Sequence, residues 1–257
     1  MENLNIALLQ VDLVWENIEK NLKQFEEKIK SITTNVDIFI LPEMFTTGFS
    51  MNAKNLAESP GGSTLKWMQK IARDNNSAIT GSIIIKEGDE FFNRLYFVFP
   101  DTTYKKYDKH HTFTLAKENE IYTAGKVRMQ VEYKGWKICP LICYDLRFPV
   151  WARNTTDYDL LIYVANWPKP RILAWNTLLQ ARAIENMAYC VGVNRTGLDG
   201  NDHEYIGHSA VYDSLGKPLL DLEEAVFAKI VTLDKKQLLD TRKKFKFLDD
   251  RDKFILE

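Results

Sequence analysis

The hydrophobic pattern of this chain predicts an α/β fold in which sheets are covered by helices. Short apolar runs alternate with segments whose apolar residues return every three or four positions, and period-2 segments cluster near the middle of the sequence. No Pro-, Ser- or Gly-rich linker and no repeat divides the 257 residues, so one domain over 1–257 is the expectation.

Ile6-Ala-Leu-Leu-Gln10 reads as the first strand. Ile18, Leu22, Phe25, Ile29 and Ile32 then recur at steps of four and three, which places them on one helix face. Val36 to Leu41 is a second strand, Leu65 to Ala72 a helix, and Ala78 to Ile85 a third strand. Alternation predicts strands over Arg94 to Phe99, Thr103 to Tyr107, Val127 to Tyr133 and Trp136 to Ile142, with Lys134-Gly135 as a tight turn between the last two. Leu160 to Val164 is another apolar run. Ile172, Trp175, Leu179, Ala183 and Met187 mark a second long helix, followed by strands around Tyr189 to Val193, Ser209 to Tyr212 and Ala225 to Val231. The charged tail from Lys235 reads as a late helix and an extension.

Composition narrows the function. A hydrophobic content of 45% supports a sizeable core. A formal net charge of -1 with scattered basic residues gives no electrostatic reason to expect nucleic acid or an anionic membrane as partner. The opening Met1-Glu-Asn-Leu-Asn lacks a basic n-region leading into an apolar stretch, and no apolar run approaches the roughly 20 residues that span a bilayer. A cytoplasmic location is the expectation. Three cysteines, Cys139, Cys143 and Cys190, are too few for a disulfide framework in a chain this long and read as free thiols. The histidines offer no metal site: His110 and His111 are adjacent, so they cannot share a helical i,i+4 face, and His203 and His208 have no cysteine at zinc-like spacing.

Three ionisable residues sit where strands end. Glu43 follows Ile38-Phe-Ile-Leu-Pro42, a position that desolvates a carboxylate and raises its pKa toward the range useful for proton transfer; the alternative is an ordinary loop glutamate. Lys109 follows another strand in Tyr107-Asp-Lys-His-His-Thr-Phe113, where most lysines are simply solvated. Cys143 ends the run Trp136-Lys-Ile-Cys-Pro-Leu-Ile-Cys143, where a lone cysteine is often a small core hydrophobe. Together they make sense as chemistry. A thiol whose ordinary pKa is about 8.5 needs a base or a cation nearby, and a carboxylate and an ammonium supply both. The ammonium would lower the thiol pKa and stabilise the oxyanion formed when sulfur attacks a carbonyl carbon.

Leu41-Pro-Glu43-Met-Phe45, Tyr107-Asp-Lys109-His110 and Cys143-Tyr-Asp-Leu-Arg147-Phe-Pro149 resemble, in order, the three signatures of the nitrilase superfamily of carbon–nitrogen hydrolases. Further likenesses run from Leu9-Gln10 through Asn93 to Gln180-Ala-Arg182-Ala-Ile-Glu185-Asn186 and Gly207-His-Ser209, covering nearly the whole chain. The resemblance implies a four-layer α-β-β-α sandwich and a homodimer or larger homo-oligomer. It also implies Cys143 as nucleophile, Glu43 as general base, Lys109 as oxyanion-stabilising lysine and the Tyr144 backbone N–H as its partner in the oxyanion hole. A second glutamate is expected between lysine and cysteine; Glu118 and Glu120 compete, and distance to Gly125 favours Glu118. No metal and no organic cofactor is implied.

Leu141 to Trp151, Val164-Ala-Asn-Trp-Pro168 and Ala181 to Asn186 resemble the bacterial ω-amidase branch in particular. Its members hydrolyse the terminal amide of 2-oxoglutaramate and 2-oxosuccinamate, so the implied partner is a small ω-amide substrate. An acidic substrate suits an arginine near the nucleophile. Arg147 and Arg171 are candidates, with Arg147 alternatively paired to Asp145 or Glu185. Phe45, Phe49 and Trp167 are candidates for an apolar wall, the alternative being plain core. The competing functional expectations are an N-carbamoyl amino-acid amidohydrolase or a nitrilase of the same superfamily, and, from another class, a noncatalytic scaffold.

Overall fold

The computed structural model describes residues 3–255, so residues 1, 2, 256 and 257 of the expected 1–257 domain lie outside the described residues. The strands are β1 (Leu4–Gln10), β2 (Ile38–Ile40), β3 (Ala78–Glu87), β4 (Glu90–Val98), β5 (Tyr104–Asp108), β6 (Val131–Tyr133), β7 (Trp136–Ile142), β8 (Leu160–Val164), β9 (Tyr189–Val193), β10 (Thr196–Leu198), β11 (Glu204–Ile206), β12 (Ala210–Tyr212) and β13 (Phe227–Leu233). The helices are α1 (Ile18–Ser31), α2 (Ala53–Leu56), α3 (Ser63–Asn75), α4 (Glu118–Ile121), α5 (Pro149–Ala152), α6 (Ile172–Asn186) and α7 (Lys235–Phe245).

One sheet runs in the order β13-β1-β2-β3-β4-β5 and a second in the order β12-β9-β8-β7-β6. In each, a parallel core (β1, β2 and β3; β7, β8 and β9) is flanked by antiparallel strands. Parallel strands are covered on both faces, which is why β8 reads Leu-Leu-Ile-Tyr-Val with every residue buried. In β1 the two faces separate by alternation. Leu4, Ile6 and Leu8 join the core shared with the second sheet, while Ala7 and Leu9 join the core under α1 and α3. Each such Leu or Ile contributes about 1.5–3 kcal/mol by leaving water. On the far side Trp175 and Leu179 of α6 press on Gly192 of β9, where an added Cβ would come within 2.5 Å of Leu179. The layers are therefore helix, sheet, sheet and helix, as the four-layer expectation has it.

The long elements lie close to their expected positions. Trp136–Ile142 is β7 residue for residue, and Lys134 and Gly135 both have positive φ (48° and 74°), as a tight β6–β7 hairpin turn requires. The strand expected over Val127 to Tyr133 is shorter, Val131–Tyr133. Its first half is tied elsewhere, with Arg128 donating to the carbonyls of Trp151 and Arg153 at 3.0 and 2.8 Å. The β10–β11 hairpin and the four-residue helices α2, α4 and α5 carry no usable period. Four strand ends meet at one edge of the sandwich: the chain passes Glu43 after β2, Lys109 after β5, Cys143 after β7 and Asn166 after β8.

Candidate active site

Glu43 is fully buried, and its loop is pinned to β3 by hydrogen bonds from the Met44 N–H to Ser82 Oγ (2.9 Å) and from the Phe45 N–H to Ser82 O (3.1 Å). The Lys109 N–H donates to Asn93 O (3.0 Å), while its own carbonyl accepts from Gly125 N–H (2.9 Å). Only glycine fits at Gly125, since a Cβ there would lie 2.0 Å from the Asp108 carbonyl oxygen. These contacts aim Lys109 Nζ at two carboxylates, Glu43 Oε1 at 2.9 Å and Glu118 Oε2 at 2.9 Å. Of the two candidate glutamates, Glu118 reaches Lys109, whereas the Glu120 side chain is 59% exposed.

Two carboxylates and one ammonium out of water carry excess negative charge, and neutral donors absorb it. The Asn166 N–H donates to Glu43 Oε2 (2.9 Å), the Phe113 N–H to Glu118 Oε2 (2.5 Å), and Asn93 Nδ2 to both acids. Burial disfavours the Lys109 ammonium, but Glu118 and Glu43 outweigh it and hold its pKa above the ordinary lysine value. Burial raises the Glu118 pKa; Lys109 opposes, Glu43 adds to the rise, and the result stays above the ordinary carboxylate value.

Cys143 opens a 3-10 turn (Cys143–Arg147) with φ of 41°, a left-handed conformation that costs a non-glycine residue about 1–3 kcal/mol and persists only where the surroundings hold it. Asp145 does the holding. Its Oδ2 accepts from the Ile142 N–H (3.0 Å) and the Tyr107 hydroxyl (2.7 Å), and its Oδ1 contacts the His111 N–H (3.0 Å) and ring Nδ1 (2.8 Å). Tyr107 also receives the Trp151 Nε1–H (3.0 Å) and the His110 N–H (3.2 Å), so one buried carboxylate ties the lysine strand to the cysteine turn. The thiol differs from expectation in one respect. Burial and then the Glu43 carboxylate push its pKa well above the ordinary value, and the opposing pull of Lys109 does not reverse this. The thiol therefore sits beside a carboxylate that favours its protonated form.

These groups open into a cavity of about 580 Å³. Phe49, Tyr144, Arg147 and Trp167 line it, as does Arg171. Lys109 Nζ lies 5.1 Å from the Phe49 ring centroid. Phe45 is not part of the wall: it is fully buried against Phe25 and Trp67 in the helix-side core. Neither expected partner takes Arg147, since Asp145 belongs to His111 and Tyr107, and Glu185 to Arg182 (3.0 Å). Arg147 instead stacks on Trp167, 5.0 Å from its centroid, and Arg171 on Phe113 at the same distance. Neither guanidinium has a carboxylate partner among the described residues.

Residues 5–241 match the sequence profile described as carbon-nitrogen hydrolase. The chain belongs to that family. Within this carbon–nitrogen hydrolase family it is 45% identical to "Omega-amidase YafV" of Yersinia enterocolitica over 257 residues, 100% of each chain. It is 32% identical to "2-oxoglutaramate amidase" of Bacillus subtilis (strain 168), over 95% of this chain and 96% of that one. Among solved structures, XC1258 from Xanthomonas campestris, a CN-hydrolase superfamily protein with an arsenic adduct in its active site, superposes with a TM-score of 0.98 at 40% identity over 100% of both chains. The protein is thus a carbon–nitrogen hydrolase, an amide hydrolase in nitrilase-type architecture.

The geometry brings together Glu43, Lys109, Glu118 and Cys143, and it adds Asn166 and the Asp145–His111–Tyr107 lock, in which the sequence offered Asp145 only as a partner of Arg147. Asn166 carries the same signal as Glu43, a polar residue just past an apolar strand, here Leu160 to Ala165. The lock has no such signal, because its members meet only through the fold.

Proposed function

We propose that this carbon–nitrogen hydrolase is an ω-amidase. It cleaves the terminal amide of short 2-oxo dicarboxylic acid monoamides, 2-oxoglutaramate and 2-oxosuccinamate, to the acid and ammonia. The observation that carries this reading is a single cavity holding a carboxylate, an ammonium and a thiol together with two guanidinium groups that have no carboxylate partner among the described residues. The names of the Yersinia and Bacillus relatives support the substrate class.

In the proposed mechanism Glu43 takes the thiol proton as Cys143 Sγ bonds to the amide carbon, and the carbonyl electron pair moves onto oxygen. That oxyanion accepts hydrogen bonds from Lys109 Nζ and the Tyr144 N–H. Glu43 passes its proton to nitrogen, the C–N bond breaks, and ammonia leaves a thioester. Water, deprotonated by Glu43, adds to the thioester, and Cys143 departs and regains its proton. Glu118 holds Lys109 in place, and the raised thiol pKa makes the Glu43 proton transfer part of each attack. The scheme needs no metal or organic cofactor. Phe49, Arg147 and Trp167 contact the substrate and limit its length. The working unit is one catalytic domain, 1–257, as a homodimer or larger homo-oligomer in the cytoplasm; among the described residues no helix is long and apolar enough to cross a membrane.

A substrate panel of 2-oxoglutaramate, N-carbamoyl amino acids and short nitriles, assayed for ammonia, tests the reading. The expected outcome is stoichiometric ammonia and 2-oxoglutarate from 2-oxoglutaramate and an acyl-enzyme mass on Cys143. Faster release from the carbamoyl or nitrile substrates, or turnover surviving Cys143→Ala, refutes it.

A further inference from the structure

The charges lining the cavity are not balanced in the same way. Each anion is already engaged by protein donors. Glu43 is held by Lys109 and Asn166, Asp199 by the Tyr205 hydroxyl (2.8 Å) and two backbone N–H groups, and Glu16 by Ser50 Oγ (2.5 Å) and Asn52. The guanidinium groups of Arg147 and Arg171 have aromatic supports and no carboxylate partner among the described residues. A guanidinium lying over a ring is fixed in position while its in-plane N–H donors stay free. One indole serves both: Trp167 lies under Arg147, and its Nε1–H donates to the Arg171 carbonyl at 2.8 Å. Phe113 supports Arg171 on one side and meets Tyr144, the neighbour of Cys143, edge-on at 4.9 Å on the other.

We infer that Arg147 and Arg171, positioned by Trp167 and Phe113, form a cationic filter that selects 2-oxo acid amides against the corresponding 2-amino acid amides. The inference rests on the ω-amidase reading and extends it to the choice between a substrate and its amino-acid parent. 2-Oxoglutaramate and glutamine share the amide, the chain length and the carboxylate. They differ at the carbon next to the carboxylate, where one carries a neutral oxygen that accepts hydrogen bonds and the other an ammonium with only donors. Two guanidinium groups satisfy a carboxylate and a keto oxygen together. An ammonium in the same place meets like charge, and it has no acceptor to offer the second guanidinium, which is left desolvated and unpaired. Arg171 and Phe113 thereby become specificity and positioning residues for the reaction.

Calorimetric titration of the Cys143→Ala variant separates binding from turnover. 2-Oxoglutaramate is expected to bind about 30-fold or more tightly than L-glutamine, the scale of one lost hydrogen bond to a charged group. Adding Arg171→Gln should shrink that ratio to within about 3-fold, chiefly by weakening the keto acid, while Arg171→Lys, which keeps the charge, should retain most of the discrimination against ammonium. A ratio unchanged by both Arg171→Gln and Arg147→Gln overturns the filter, as does equal binding of the two ligands at the start. Phe113→Leu in the otherwise intact enzyme should raise KM for 2-oxoglutaramate about 5-fold more than KM for propionamide, as expected when the cation–π support of Arg171 is lost. Equal losses on both amides overturn the positioning role. If Cys143→Ala binds 2-oxoglutaramate but the intact enzyme releases no ammonia from it, the ω-amidase reading fails; if turnover is normal and the ratio does not move, only the filter fails.

Discussion

The Glu43–Lys109 corner and the guanidinium wall treat charge in opposite ways, although they face the same cavity. In the corner every ion is buried and bonded to another ion, with Lys109 between Glu43 and Glu118 at 2.9 Å from each. On the wall Arg147 and Arg171 are half-buried cations stacked on rings, with no carboxylate partner among the described residues. A buried triad is part of what holds the fold, because removing one member strands the rest. Cations without a carboxylate partner do little for stability and stay available for a ligand.

That contrast gives the largest expected effect. Lys109→Met leaves two carboxylates facing each other out of water and should cost about 3–5 kcal/mol in urea unfolding, beyond its effect on turnover. Arg171→Met removes a charge that no protein carboxylate shares and should shift stability by at most about 0.5 kcal/mol. Equal losses in the two variants would mean that the wall is as much a part of the scaffold as the corner.

A second break concerns the lock between the two halves. Asp145 meets the Ile142 N–H, the Tyr107 hydroxyl, the His111 N–H and the His111 ring, and it is fully buried. Asp145→Asn replaces an acceptor with an NH₂ that confronts these donors, which should cost about 1–3 kcal/mol of stability. Loosening the strained Cys143 turn should lower kcat about 100-fold with little change in KM. A rise in KM at constant kcat would assign Asp145 to the substrate wall instead.

The sequence carried the corner well because its residues sit where periodic strands stop. Glu43 and Cys143 each follow an apolar run, while Lys109 follows the largely exposed strand Tyr104–Asp108; all three segments are strands, although the one before Glu43 is only Ile38–Ile40 where Val36 to Leu41 is expected. Sequence separates Glu118 from Glu120 only by spacing, while burial sets them apart clearly: one carboxylate is fully buried, the other mostly in water. The wall was harder to read. Pairing Arg147 with Asp145 was a reasonable local guess, but Asp145 is taken by His111, a residue 34 positions away. Phe45 and Phe49 have the same composition signal and opposite fates, one in the helix-side core and one in the cavity, because the chain between them turns, the Thr47 and Gly48 N–H groups donating to the Met44 carbonyl at 3.0 and 2.8 Å. The β10–β11 hairpin, which brings Tyr205 to the cavity, is two three-residue strands without a pattern of their own.

The smallest effect tests what Glu43 does to the thiol beside it. Glu43 acts on Cys143 in two opposed ways: its charge helps hold the thiol pKa well above the ordinary value, and as a base it would take the proton during attack. With the pKa raised, the resting thiolate population builds only on the alkaline side of the ordinary value near 9. Labelling by iodoacetamide at pH 7 is therefore expected to depend on proton transfer to Glu43 more than on preformed thiolate. Cys143, 9% exposed and lining the cavity, should react well before Cys139 and Cys190, which are 2% and 0% exposed. Glu43→Gln removes the charge and the base together. If the base dominates, labelling of Cys143 at pH 7 should slow by about 10-fold, while the gap to the intact protein narrows as alkaline pH builds the thiolate in both. Faster labelling at pH 7 in Glu43→Gln would mean that Glu43 acts on the sulfur only through its charge, and the general-base assignment would fall.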